Sequence, residues 1–336
     1  MTATPPGGAV RVGTVRVGAV DCGTNSIRLL VAEGVPGQPG LTDVHREMRI
    51  IRLGEGVDAT GRLSTEAISR CRTALTDYAA TMAELGVKSV RMVATSATRD
   101  ASNKDEFFDM TAEVLGAHFP GAVAEVISGQ TEAELTFAGG VIDLDPSGGP
   151  FVVTDLGGGS TEIVVGELVR GQVQILGARS LDVGCVRLTE RVLHSDPPTE
   201  SEIAAARAVI ADSLAEAGDV PVGRAARWVG VAGTFTTLSA LAQGLGEYDP
   251  ERIHGRILPL DRMREVCDRL VSQSVTERRS LGPMHPGRAD VIGGGSIVVQ
   301  ALCDVMAERA GLSELTVSEK DILDGIAMSV LTRLAG

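Results

Sequence analysis

Two short segments set chemically useful residues in the same order. Asp21 precedes Gly23, Thr24, Asn25 and Ser26, and Asp155 precedes Gly157, Gly158, Gly159 and Ser160. A glycine-bearing turn lets backbone N–H groups converge on an anion, because no Cβ blocks close approach. Each turn joins two β-branched runs, residues 15–20 to 27–32 and 151–154 to 161–165. A P-loop or dinucleotide fingerprint would instead run from strand into helix, and no G-x-x-x-x-G-K-[ST] is present. Two such hairpins fit a two-sided phosphate clamp; the plain alternative is a pair of tight turns.

Asp21 and Asp155 end their strands beside these turns. A carboxylate next to an anion is unfavourable unless a cation bridges them, so Mg²⁺, with Mn²⁺ as a substitute, is expected at Asp155 and Asp21. The alternative is that each Asp caps its own turn. Glu162 lies two residues past Ser160 on an otherwise apolar strand, and Glu132 sits in Ser128-Gly-Gln-Thr-Glu132-Ala at the start of a short helix. Together they could supply an acid and base pair for attack by water. Gly230-Val-Ala-Gly233-Thr234 follows a strand and opens a helix, whose first N–H groups suit phosphate, with Thr234 at that turn. The five histidines share no metal-binding spacing, and there is no G-x-S-x-G elbow.

The elements that must position these residues alternate between strand and helix. Ser64 is expected to cap a helix to about residue 85, and Asn103 with Glu106 to form a capping box for a second. Residues 89–95 and 123–127 read as strands and 131–138 as a short helix. The Asp-Pro-Ser-Gly-Gly-Pro stretch at 145–150 breaks everything, which predicts a domain I of 13–144 and a domain II of 150–336, after a floppy 1–12. The first hairpin recurs at the second with Asp21, Gly23, Ser26, Val31 and Glu33 matching Asp155, Gly157, Ser160, Val165 and Glu167, a gapless offset of 134 residues. That pattern favours duplication. In the second half, Thr199 with Glu202 reads as a capping box. Strands are expected at 228–231 and 315–317, and helices at 234–245, 261–272, 291–310 and 321–334, the last available to pack back on domain I.

Composition narrows the classes. The 336 residues carry a net charge of −13, and only three of the 31 basic residues are lysines. The acidic pI near 4.9 argues against coating nucleic acid or anionic membrane. Aromatics are 3%, too few for base-stacking platforms. Five scattered cysteines without a CxxC fit a reducing compartment. With no signal-peptide pattern and no apolar run of membrane length, a cytoplasmic protein is expected.

The motifs resemble the exopolyphosphatase / guanosine pentaphosphate phosphohydrolase (Ppx/GppA) family. They are Asp21 to Ser26, Ala94-Thr-Ser-Ala-Thr-Arg99, Ile127 to Ala133, Asp155-Leu-Gly-Gly-Gly-Ser-Thr-Glu162, Leu181 to Glu190, Gly230 to Thr234 and Arg288-Ala-Asp-Val-Ile292, in this order. The resemblance implies an α/β fold: two ribonuclease-H-like domains of the actin, hexokinase and heat-shock-ATPase superfamily flanking a cleft. It implies that Glu132 is the catalytic base, that Asp155 and Glu162 serve the magnesium and the activated water, and that Arg99 binds phosphate. Gly23, Thr24, Asn25, Gly157, Gly158, Gly159 and Ser160 would line the cleft. The length resembles the short form, without the family's extra HD-type region, and a homodimer is usual there.

The expected reaction is release of terminal orthophosphate from inorganic polyphosphate, short chains above all. Hydrolysis of guanosine pentaphosphate at the same site, an ATP-dependent sugar or acetate kinase, and a non-catalytic phosphate sensor are the alternatives. Arg28, Arg99, Arg187, Arg278, Arg279 and Arg288 lie in or near the motifs. A row of arginines suits a phosphate chain better than a guanine, because guanidinium binds phosphate bidentately.

Overall fold

Runs of β-branched residues on either side of the Gly-Thr-Asn turn make Val15–Cys22 (β1) and Ser26–Gly34 (β2) an antiparallel pair. Thr42–Ile50 (β3), Ser89–Ala94 (β4) and Ala124–Val126 (β5) complete a sheet of order β3-β2-β1-β4-β5. The computed structural model describes residues 13–38 and 40–336, so the expected floppy 1–12 lies outside the described residues. β4 runs parallel to β1 and brings Ala94 beside Cys22. Thr65–Glu84 (α1) starts at Ser64, whose side chain accepts from the Ala67 N–H, and buries Ala67, Cys71, Ala74, Leu75, Tyr78 and Met82 along one stripe. Lys104–Gly116 (α2) packs beside it. The Asn103 capping box does not form; the Asn103 amide instead pairs with the backbone of Leu63 through both its oxygen and its nitrogen.

Leu29 and Val31 turn toward α1. By the period-two alternation of a strand, Leu30, Ala32 and Gly34 turn the other way. That face carries the last helix, Ile322–Arg333, with Leu331 against Gly34 and the buried Asp324 held by Arg46 at 2.5 Å.

The second sheet repeats the plan. Phe151–Leu156 (β6), Thr161–Val169 (β7) and Gln172–Leu181 (β8) form an antiparallel meander, and Arg227–Val231 (β9) runs parallel to β6. With Arg256–Pro259 (β10) and Glu314–Val317 (β11) the order is β10-β11-β9-β6-β7-β8. Both sheets therefore have a third-second-first-fourth order with the same strand directions, which is the ribonuclease-H-like pattern. The helices are Gly129–Gly140 (α3), Cys185–Val192 (α4), Glu200–Ala215 (α5), Ala232–Ala242 (α6), Leu260–Ser272 (α7) and Ile292–Ala310 (α8). The Thr199–Glu202 capping box closes α5 as expected. β6 is buried along its whole length, as a central strand covered on both faces must be.

The chain divides into two compact units, one up to Ser128 plus Ile322–Gly336, the other Gly129–Asp321. The division falls one helix earlier than the break at 145–150. The cause is α3, whose Ala133 and Phe137 bury with Val141 against Phe151, Val153 and Val164 of the second sheet. Glu132 thus belongs to the second unit. Burial of each such large apolar side chain contributes about 1.5–3 kcal/mol, enough to fix the helix there.

Candidate active site

In the first unit, Gly23 N–H donates to the Ser26 carbonyl at 2.9 Å, closing the turn. The turn's other carbonyls are occupied from outside. Asn25 O accepts from Ile51 and Arg52 N–H, and Thr24 O from Gly54 N–H. Arg52 holds φ 48°, a left-handed conformation that a non-glycine residue adopts only under constraint. Thr24 Oγ1 lies 3.0 Å from Ser96 Oγ, at the start of the five-residue helix Ser96–Asp100 that also carries Arg99. Arg99 donates to the Ile127 carbonyl at 3.3 Å. Asp21 is paired: Arg28 directly opposite it on β2 donates to its Oδ2 at 2.6 and 2.9 Å. This guanidinium puts a positive charge beside Asp21, where the sequence leads one to expect Mg²⁺.

The second unit builds the matching turn with different charges. Gly157 N–H donates to Ser160 O at 3.0 Å. Cys185 N–H reaches Gly157 O at 3.0 Å, and Val186 and Arg187 N–H reach Gly158 O at 2.9 and 3.0 Å. The first N–H groups of α4 are thereby spent on the carbonyls of the turn, and the Gly158 and Gly159 N–H groups carry no hydrogen bond within the described residues. Gly184 makes this possible: a Cβ there would stand 2.5 Å from Gly158 C and O and 2.7 Å from Gly159 N. Since those atoms are backbone, they cannot turn aside. Gly184→Ala is expected to cost at least about tenfold in kcat/KM, because a misplaced positioning element costs up to about 10²-fold. Steady-state kinetics on the purified variant, with its Tm, check this; an unchanged kcat/KM would show that the turn does not depend on α4.

At the position of Arg28 the second hairpin has Glu162. Asp155 and Glu162 face each other as a cross-strand pair, 7% and 2% exposed. Like charges directly opposed are unfavourable by themselves. Ser180 follows Glu162 on β8 in the same row, and its Oγ donates to Glu162 Oε1 at 2.7 Å. α3 covers this face: Gly129 abuts Ser180, and Thr136 donates to Asp155 Oδ2 at 3.4 Å. Residues three and four apart share a helix face. Glu132, buried and midway between Gly129 and Thr136, is therefore aimed at the same row. Two carboxylates of this sheet face and one of the helix over it are thus buried near the Gly-rich turn. Among the described residues no group of three or more His, Cys, Asp or Glu is arranged to hold a metal ion by itself. Two opposed carboxylates nevertheless fit Mg²⁺, which takes hard oxygen ligands and usually keeps waters and substrate oxygens as the rest.

Thr234 is buried in the first turn of α6, entered through Ala232 at φ 70°. The Arg288 guanidinium lies over Gly233, where a Cβ would meet it at 2.1 Å, and donates to Thr237 Oγ1 at 2.8 Å. A guanidinium at a helix N-terminus adds to the local positive potential. Arg288, of the Arg288-Ala-Asp-Val-Ile292 motif, belongs to the row of arginines expected to suit a phosphate chain. Other arginines of the expected row serve elsewhere. Arg187 pairs with Asp182 at 3.0 Å, and the buried Arg278 donates to the carbonyls of Leu270 and Ala289. Burial pushes the Cys185 thiol up to about 11, which keeps it from acting as a thiolate.

A ribonuclease-H-like sheet in each unit, with a Gly-rich turn at the end of its first strand, is the fold of the actin-like ATPase superfamily. The pattern of the Ppx/GppA phosphatase family matches residues 30–330, and the chain belongs to that family. It is 58% identical over 318 residues to "Exopolyphosphatase 2" of Mycobacterium tuberculosis, covering 94% of this chain and 98% of that protein. A solved structure described as an exopolyphosphatase-like protein is 39% identical, with a TM-score of 0.90, over 96% of this chain and all of that one (100%). The Ppx/GppA family member of Aquifex aeolicus is 30% identical, with a TM-score of 0.77, over 96% and 99%. Among the described residues no helix is long and apolar enough to cross a membrane.

Proposed function

We propose that the protein is an exopolyphosphatase that releases terminal orthophosphate from inorganic polyphosphate, preferring short chains, by attack of water. The single observation that carries this is the placement of Asp155 and Glu162 on one buried sheet face, with Glu132 buried on the helix over it, next to the turn whose Gly158 and Gly159 N–H groups carry no hydrogen bond among the described residues. The name of the Mycobacterium relative supports the substrate.

Phosphoryl transfer asks chiefly for positioning and charge neutralisation. In this reading each turn offers phosphate oxygens the backbone N–H groups that its own closure does not use, Gly158 and Gly159 in the Gly-rich turn and Thr24 and Asn25 in the other. Arg99 and the Thr234 turn add further phosphate contacts. Glu132 takes the proton from the attacking water, and Glu162 and Asp155 would hold Mg²⁺ or Mn²⁺. When bound, the ion neutralises charge on phosphate oxygens. In this reading the enzyme works in the cytoplasm, which the scattered cysteines fit, and as a homodimer, as the resemblance implies.

Guanosine pentaphosphate hydrolysis is the second reading. It gains from the structure because Arg28, Arg187 and Arg278 are engaged with protein partners, which weakens the argument for a row of arginines along a phosphate chain. Competition kinetics separate the two at fixed Mg²⁺ and ionic strength, since multi-phosphate contacts are screened by salt. The expected result is a kcat/KM for short polyphosphate above that for guanosine pentaphosphate. A guanosine pentaphosphate value more than about tenfold higher would promote the second reading, a difference of about 1.4 kcal/mol in transition-state binding.

A further inference from the structure

We infer that Ser180 is a positioning residue for Glu162, an inference that rests on the reading just given of the carboxylate face. The β6-β7-β8 register places Asp155, Glu162 and Ser180 in one row. Ser180 Oγ donates to Glu162 Oε1 at 2.7 Å, a normal length for a hydroxyl on a carboxylate. A free glutamate side chain spreads over many rotamers, and fixing a flexible side chain costs conformational entropy. A donor already in place removes that disorder before substrate arrives and fixes one oxygen of the carboxylate.

The same serine also sets the spacing of the helix above it. A Cβ at Gly129 would stand 3.0 Å from Ser180 Cβ, so the first turn of α3 rests on this residue. Glu132 follows three residues later on the same helix face. Ser180 therefore touches both sides of the carboxylate face, Glu162 by hydrogen bond and the turn leading to Glu132 by contact. The Thr136 contact to Asp155, at 3.4 Å, is at the long limit and holds its carboxylate far less.

The test compares Ser180→Ala, Ser180→Thr, Glu162→Gln and the Ser180→Ala/Glu162→Gln double variant. Each is measured for kcat and KM on short polyphosphate, for Tm, and for Mn²⁺ binding by calorimetry in the absence of substrate. Ser180→Ala is expected to lose about 10–100-fold in kcat, the usual cost of removing a partner that orients a ligating carboxylate, and to bind Mn²⁺ more weakly. Its KM should stay within about twofold. Ser180→Thr, which keeps the hydroxyl, should recover most of the rate. The double variant should be no slower than Glu162→Gln alone, because the serine acts through Glu162. Ser180→Ala with unchanged kcat and Mn²⁺ affinity beside an inactive Glu162→Gln overturns the inference alone. So does a loss that adds fully to that of Glu162→Gln. A Glu162→Gln enzyme with the parent rate overturns the functional reading, and the inference with it.

Discussion

Exchange of Glu132 for glutamine is expected to lower kcat by about 10²–10⁴-fold, the range seen when a general base is lost. Glutamate and glutamine have nearly equal helix propensity and shape, so α3 should stay docked through Ala133 and Phe137. The change removes one negative charge from a face proposed to meet a polyanion, so polyphosphate binding should hold or tighten. A rate effect without a binding loss is the sign of an interaction made only in the transition state. Phosphate release at saturating substrate, with calorimetry for binding, measures both. Turnover within about twofold of the parent enzyme would remove Glu132 from the base role and leave Glu162 as the candidate.

Excess EDTA is expected to abolish activity, and Mg²⁺ or Mn²⁺ to restore it. The ground is the opposed, buried pair of Asp155 and Glu162, which becomes favourable when a divalent ion neutralises both. Asp155→Asn keeps the volume and removes one charge, so the metal concentration for half-maximal rate should rise by about tenfold or more. A second readout does not depend on turnover. An ion that binds only the folded state adds about 2.7 kcal/mol of stability at a hundred times its Kd, so Mn²⁺ should raise the Tm of the parent protein and raise that of Asp155→Asn less. Full activity in EDTA together with an unmoved Tm would sink the metal-bridged picture. Asp21→Asn should leave the metal requirement unchanged, because Arg28 already neutralises that carboxylate.

The two hairpins were legible because each is a strong local pattern, two β-branched runs and a glycine turn. Their repeat at a fixed offset placed Asp21 and Asp155 at matching strand ends. Ser64 and Thr199 were legible as caps for the same local reason. β3 and β8 were not. Thr42–Ile50 is a half-exposed edge strand whose charged residues pair within the strand and beyond it, Arg46 with Asp43 and Arg49 with Glu47 and Asp77, so no apolar run announces it. Gln172–Leu181 is an edge strand with Gly177 in its middle, pressed on Pro221. α4 gave no start signal because its first N–H groups are satisfied by Gly157 and Gly158 carbonyls rather than by a side-chain cap. The segments that follow β3 and β8 hold the carbonyls of both turns, so the support of the site lay in what the sequence hid. The place of Glu132 was obscured by the conspicuous break at 145–150, which lies past the helix that decides it.

The last helix, Ile322–Arg333, gives the first sheet an unusual order of completion on the ribosome. β1, β2 and β4 are among the earliest segments synthesised, and the helix that covers their second face comes about 190 residues after Ser128. At roughly 5–20 residues per second that is an interval of roughly 10–40 s. Throughout it, Leu30 and Ala32, which the finished protein hides completely, lack their cover, and Arg46 lacks Asp324. The second unit is contiguous in the chain and can close before the first. A nascent chain cut short anywhere in that interval therefore displays an apolar sheet face, the kind of surface that chaperones and proteases bind. Completion of the oldest part of the polypeptide is in this way tied to arrival of the youngest.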